Sequence, residues 1–413
     1  MLFPLILLVT KPLMRDFIGL NTHTVQFKPD LYAPVTRLIR NYHPVAWDLG
    51  DDLTKKPILP MAQNGVNWAQ LYGDWKKAGY KTEASAMFES IPAKHWTDIP
   101  KQASEYGEQF ARAFGPSGLL EVVEIGNEPA DFTEAQYRTV FESMAKGIRK
   151  GDPKMKIATC AVAVGKEDKY SKDIACLQGF ESYIDVLNVH TYAFAEMWPT
   201  WRRSFPEDPK INYLKQPQAI VDWRNAHAPG RPIWITEFGY DATTKPNKPT
   251  GDFSKWLGNT DAEQAKYIVR SYLTFSAMDI DRAYLYWFND DDSPQLHGSS
   301  GLTRNFKPKP SFYAVAHLLK SLGDKRFEKA ILSEAGGTYQ YQYRGPNGLV
   351  WVVWSATGSG RKVEVTLPAP KGKVVRAERM PLTEGAASSV STAISRGRLK
   401  LTIGEEPVYL WIK

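Results

Sequence analysis

Apolar and polar residues alternate along this chain in two different rhythms. Over the first three quarters, short apolar runs rich in β-branched and aromatic residues recur, and each reads as a strand buried on both faces. They are "FIGLNTHTV" (17–25), "VTRLIRNY" (35–42), "YKTEASAMF" (80–88), "LLEVVEIGNEP" (119–129), "MKIATCAVA" (155–163), "YIDVLNVHTYA" (183–193), "RPIWITEFGY" (231–240) and "RAYLYWFND" (282–290). Between most of them lie stretches with apolar residues three and four apart, such as "NWAQLYGDWKKAG", "TEAQYRTVFESMAKGIRKG" and "DAEQAKYIVRSYLTFSAMD", which predict crossover helices. A last amphipathic stretch, "PSFYAVAHLLKSLG", follows the eighth run. Eight strands joined by crossovers predict a closed (β/α)8 TIM barrel. An open doubly wound sheet is the alternative, but it would carry a Gly-rich phosphate turn after the first strand, and none is present.

Beyond Gly323 the rhythm shortens. Alternating runs such as "TYQYQYR", "GLVWVVWSAT", "KVEVTLP", "RLKLTIG" and "PVYLWIK", separated by Gly, Pro and Ser clusters, predict a β-sandwich. The expected organisation is therefore an α/β barrel over residues 1–323 followed by a small all-β domain over 324–413.

Composition sharpens this picture in three places. The 13 Trp and 20 Tyr exceed what packing demands, and ring faces of this kind stack on the apolar faces of pyranoses. The net charge of +7 resides in the second part, since Lys325 to Lys413 carry 14 basic against 7 acidic side chains while the rest is balanced. With no Lys/Arg block resembling a nucleic-acid arm, the charge describes an accessory surface and not a nucleic-acid partner. Finally, two cysteines, Cys160 and Cys176, are too few for a disulfide framework and read as free thiols.

The opening "MLFPLILLVT" is too short to span a bilayer, so no membrane partner is expected. It lacks a basic n-region and a cleavage site, and reads as the remnant of an export signal or as a first strand. Localisation stays open, with a secreted or periplasmic site favoured over the cytoplasm.

In a (β/α)8 barrel the C-terminal strand ends form the active face. Here they offer Asn21 and His23, then Arg40, Asn41 and His43, then Glu83 and Glu89, Asn127 with Glu128, His190 with Tyr192, Glu237, and Trp287 with Asn289. Glu128 and Glu237 end strands four and seven, on opposite sides of one mouth. Cleavage of a glycosidic bond uses such a pair, one carboxylic acid to protonate the leaving oxygen and one carboxylate to attack or to activate water.

The motifs "IGNEP" and "ITEFG", 109 residues apart, with "HTY" between and "YWFND" after, resemble those of clan A glycoside hydrolases. Family 39, of xylosidase and iduronidase type, and family 5 are nearest in texture, over residues 17 to 320. The resemblance implies Glu128 as acid/base, Glu237 as nucleophile, Asn127 on the sugar 2-hydroxyl, Tyr192 hydrogen-bonded to the nucleophile and Arg40 beneath it. It further implies Trp287 as the floor of the −1 subsite, His190 nearby, and retention of anomeric configuration. The first two strands match the clan loosely, so the arginine is Arg40 or Arg37, with spacing favouring Arg40.

Two long loops, after strands six and seven, carry Trp198, Trp201, Phe205, Phe253 and Trp256. Such loops are often binding walls. With His43, the tryptophans Trp198, Trp201 and Trp256 join the expected substrate-binding set, although rings of this kind also tuck into local cores. Arg202 and Arg203 in the first loop would suit a carboxylate or sulfate on the chain. The run "NDDDSPQLHG" reads first as a solvated loop, then as a hydroxyl contact, last as a Ca2+ site. Zinc, serine-hydrolase and P-loop motifs are missing, so neither metal nor cofactor is expected. The sequence thus predicts a retaining glycoside hydrolase acting on β-linked poly- or oligosaccharide, neutral or anionic. A carbohydrate-binding protein on the same scaffold and a transglycosylase are the alternatives.

Overall fold

The computed structural model describes residues 10–413 except 51, 54, 166–168 and 335. The opening apolar run therefore lies almost entirely outside the described residues. Eight parallel strands form a closed ring: β1 (Ile18–Thr22), β2 (Leu38–Pro44), β3 (Lys81–Met87), β4 (Val122–Ile125), β5 (Lys156–Ala163), β6 (Val186–His190), β7 (Ile233–Phe238) and β8 (Arg282–Leu285). Each pairs with the next, and β8 returns to β1 through Ile18 opposite Ala283 and Leu20 opposite Leu285. Seven of the eight expected strand windows contain one of these strands, and the second window, 35–42, holds the start of β2, which runs on to Pro44.

Crossover helices stand where the three- and four-residue spacing placed them, at Trp68–Lys77, Glu134–Gly151 and Asp261–Ala277. The last two begin with reciprocal capping boxes, Thr133 with Gln136 and Thr260 with Glu263, which satisfy otherwise orphaned backbone donors. One crossover departs from the pattern. Among the described residues, β5 and β6 are joined by the short 3-10 turns Ile174–Leu177 and Glu181–Tyr183, with no α-helix.

After the helix Pro310–Leu322 the chain builds two antiparallel sheets. The larger has the order β9 (Arg326–Ser333), β10 (Thr338–Gly345), β11 (Gly348–Ser355), β16 (Val408–Ile412), β13 (Val374–Arg379). The smaller runs β12 (Val363–Pro368), β15 (Arg398–Ile403), β14 (Thr392–Ser395). Strand β11 shows why the sandwich sits against the barrel. Its period of two sends Trp351 and Val353 between the sheets, while Val350, Val352 and Trp354 join the barrel's own core. The large sheet is thus covered on both faces, one packed into the barrel's apolar core and the other into a separate core between the two sheets.

A buried ion pair fastens the same junction. Arg270 meets Glu207 through Nε at 3.0 Å and again through Nη2, and donates from Nη1 to the Thr357 carbonyl at 2.9 Å. Trp354 Nε1 donates to the same carboxylate at 2.7 Å. No helix among the described residues is long and apolar enough to cross a membrane.

Candidate active site

Strand β4 ends at Ile125 because Gly126 takes φ +85°, a left-handed conformation in which a Cβ would also strike the Phe88 ring at 2.5 Å. The turn lifts Asn127 and Glu128 out of the barrel wall. Glu89, at the end of β3, fixes them there: its Oε1 accepts from the Asn127 N–H at 2.7 Å and the Glu128 N–H at 3.1 Å. Burial pushes the Glu89 carboxyl up to about 7 against those two donors.

Across the mouth, β7 delivers Glu237 into a cage of donors. Its Oε1 accepts from the Tyr42 hydroxyl at 2.7 Å and from Arg40 Nη1 at 3.1 Å, and its Oε2 from the Tyr192 hydroxyl at 2.9 Å. Burial alone would raise this carboxyl. The charges of His190 and Arg40 and the hydroxyls of Tyr42 and Tyr192 outweigh that and hold it below the usual carboxylate range.

Arg40, wholly buried, has its five donors taken: Nε and Nη2 by Glu124 at 2.8 Å each, Nη2 also by Asn127 at 2.7 Å, and Nη1 by Asn21 at 2.8 Å and by Glu237. It is a fixed charge under the site. Asn127 thereby receives a guanidinium contact that orients its side chain.

His190 links the two glutamates. Nδ1 lies 2.7 Å from Glu128 Oε1 and 3.6 Å from Glu237 Oε2, and Nε2 lies 3.0 Å from Thr236 Oγ1. The Thr236 hydroxyl spends its proton on Asn188 Oδ1, whose amide is oriented by its own donation to the Thr159 carbonyl. Thr236 is therefore an acceptor towards Nε2–H, and one further proton is shared between His190 Nδ1 and Glu128. Burial works against charge on the imidazole, but Glu237 and Glu128 prevail and raise its pKa. Oxygens of Glu128 and Glu237 and a His190 nitrogen all lie within 4.8 Å of one another. The three would span a metal ion, but the cationic neighbours of Glu237 disfavour a second positive charge there.

A cavity of about 400 Å³ opens above this group, lined by His23, Tyr42, Asn127, Glu128, Tyr192, Glu237, Tyr286 and His297 among others. The structure brings only part of the expected set to it. Glu128, Glu237, Asn127 and Tyr192 line it, with Arg40 and His190 directly behind. His43 does not reach it: the alternation of β2 turns Arg40 and Tyr42 inward, whereas His43 points outward, bonded to Asp48 and Tyr72 at 2.7 Å each and stacked on Trp68. Trp256 is buried in its own loop under Gly258, and Trp201 packs edge-on against Phe194. Trp198 is 68% exposed and lines no described part of the cavity. Trp287 lies one step back, stacked flat on Tyr286 with ring centroids 5.3 Å apart, and faces an adjoining hollow of about 430 Å³.

Arg203 is not free for an anion. It is buried, ion-paired with Asp241 at 3.0 Å and lies over the Tyr192 ring, while the exposed Arg202 pairs with Glu196. Of the three adjacent aspartates, Asp290 and Asp292 are buried and bonded into their loops, so only Asp291 is solvated. Tyr42, Tyr286 and His297 were not expected, whereas Glu89 stood among the strand-end residues but without a role. Tyr42 was readable, being two residues beyond Arg40 on the same face of β2.

No protein-family model and no curated protein matches the sequence. Solved structures match the fold over nearly the whole chain. A family 39 glycoside hydrolase from Bacteroides cellulosilyticus WH2 is similar at TM-score 0.74 and 17% identity, covering 97% of this chain and 81% of that one. A family 30 xylanase C catalytic domain from Talaromyces cellulolyticus gives 0.62 and 14%, covering 98% of both. A family 51 α-L-arabinofuranosidase from Bifidobacterium longum gives 0.61 and 11%, covering 98% and 97%. The chain thus has the barrel-and-sandwich fold of clan A glycoside hydrolases, and the fold is common to proteins with different sugar substrates.

Proposed function

We propose that the protein is a retaining glycoside hydrolase that cleaves β-type bonds of a poly- or oligosaccharide by double displacement. One observation carries this reading: two carboxylates face each other across one cavity, their oxygens within 4.8 Å, in opposite environments. That separation suits a direct attack by one of them, because inverting enzymes hold the pair about 6.5–9.5 Å apart to admit a water.

The environments support one division of roles. Glu237, caged by two hydroxyls and a guanidinium and held ionised, attacks the anomeric carbon. Glu128, which shares a proton with His190 Nδ1, delivers that proton to the departing glycosidic oxygen as that bond breaks. The sugar is then an ester of Glu237. Glu128, now a carboxylate, takes a proton from water, the hydroxide oxygen bonds to the anomeric carbon, and Glu237 is released. In this reading Asn127, whose side chain is oriented by Arg40, holds the sugar 2-hydroxyl during both steps.

The test is Glu128→Ala assayed on polysaccharides and on activated aryl glycosides, with and without azide. Loss of activity on natural glycans, with partial azide rescue on the activated substrate and formation of a glycosyl azide of retained configuration, is the expected result. Binding of glycans by the wild type with no turnover on any substrate would refute the enzyme.

A further inference from the structure

We infer that the sugar held at the reacting position is neutral, and that the cavity rejects a uronic acid there. This rests on the reading of the site as a glycosidase and deepens it. Charge compensation carries the argument. A uronate would add a third carboxylate within a cavity already lined by Glu128 and Glu237, so it would need a cation of its own.

Among the described residues, each buried cation near the cavity already faces a carboxylate. Arg40 has its five donors on Glu124, Asn127, Asn21 and Glu237. Arg203 is ion-paired with Asp241 and donates to the Gly239 carbonyl at 2.7 Å. His190 lies between Glu128 and Glu237. Among the described residues no lysine or arginine lines the cavity itself.

The two remaining candidates are histidines on the cavity wall, His23 and His297. Both are neutral: burial depresses each to about 4, for His297 with the help of Arg203. Geometry fixes the tautomer of His297. Its Nδ1 faces Arg203 Nη2 at 3.4 Å, and a guanidinium only donates, so the ring proton sits on Nε2. With the tyrosines Tyr42, Tyr192 and Tyr286, the wall offers neutral donors and acceptors of the kind that read sugar hydroxyls. It offers no charge to a carboxylate at C5.

The experiment pairs aryl β-glucoside with β-glucuronide and β-galactoside with β-galacturonide, adds β-xyloside, and measures kcat/KM on wild type. Binding of the same neutral sugars and uronates to Glu128→Gln is measured by calorimetry. The expected result is turnover of at least one neutral glycoside with its uronide slower by about 100-fold or more. In His23→Lys, which brings a cation to the wall, the ratio should shift by about tenfold towards the uronide. A uronide turned over as fast as its neutral partner overturns this inference and leaves the glycosidase standing. Neutral sugars bound in preference to uronates but never cleaved leave the inference and overturn the enzyme. Neither bound nor cleaved overturns both.

Discussion

Among the described residues two arginines are wholly buried, each bonded to both oxygens of a glutamate, and they do different things. Arg270 meets Glu207 at the junction of barrel and sandwich, where Trp354 and the Thr357 carbonyl use up the remaining groups. One guanidinium there serves one carboxylate. Beneath the cavity, Arg40 serves two, gripping Glu124 with two bonds and Glu237 with one. Glu237 is left under-compensated by its arginine and is completed by the hydroxyls of Tyr42 and Tyr192 and by His190. Buried charge is therefore no mark of function in itself. An excess of carboxylate over guanidinium beside an open cavity is.

Removing one carboxylate from each centre breaks the comparison most sharply. Glu237→Gln should lower kcat by about 10⁴-fold or more, since it deletes the attacking group, while the melting temperature holds, because the amide can still accept from Tyr42 and Arg40. Glu207→Ala should do the reverse. It strands the Arg270 charge in the interior and should cost about 3–5 kcal/mol of stability, with kcat of the folded fraction close to wild type. Denaturant unfolding and steady-state rates on both variants decide it. A stable, active Glu207→Ala would mean that the junction charge finds solvent.

The two centres also differ in how far the sequence revealed them. Glu128, Glu237 and Arg40 were legible because each sits on or just beyond a buried strand, where a two-residue period and the barrel's polarity fix which way a side chain points. The same period contains Tyr42 and excludes His43. What was not legible came from irregular segments. Trp256 and His297 lie in loops with no period, and only the packed structure decides that the first folds into a local core while the second reaches the cavity. Glu207 lies in such a loop as well, and its partners Arg270 and Trp354 are separated from it by 63 and 147 residues. The missing helix between β5 and β6 has the same origin, since a crossover of short turns leaves no 3.6-residue pattern to find.

A smaller perturbation at the cavity sharpens what the excess carboxylate does. Among the described residues His190 is the one cation there that can lose its proton. Glu237 must be ionised to attack, and its carboxyl is held below the usual value of 4.5, so the acid limb of kcat/KM should lie below that pH. The proton shared by His190 and Glu128 must be present to protonate the leaving oxygen. Its loss is held above the usual imidazole value of 6.5, so the alkaline limb should lie above that. Both limbs belong to the coupled group and not to single residues. In His190→Asn the carboxylates lose their titrating cation. The shared proton then loses its imidazole partner, and Glu237 loses one of the charges that kept it ionised. Both limbs should move inward, the alkaline one further, with a fall of about 100-fold in kcat/KM at neutral pH and little change in stability. An unshifted alkaline limb in that variant would show that His190 does not hold the shared proton, and the charge balance drawn for this cavity would then be wrong.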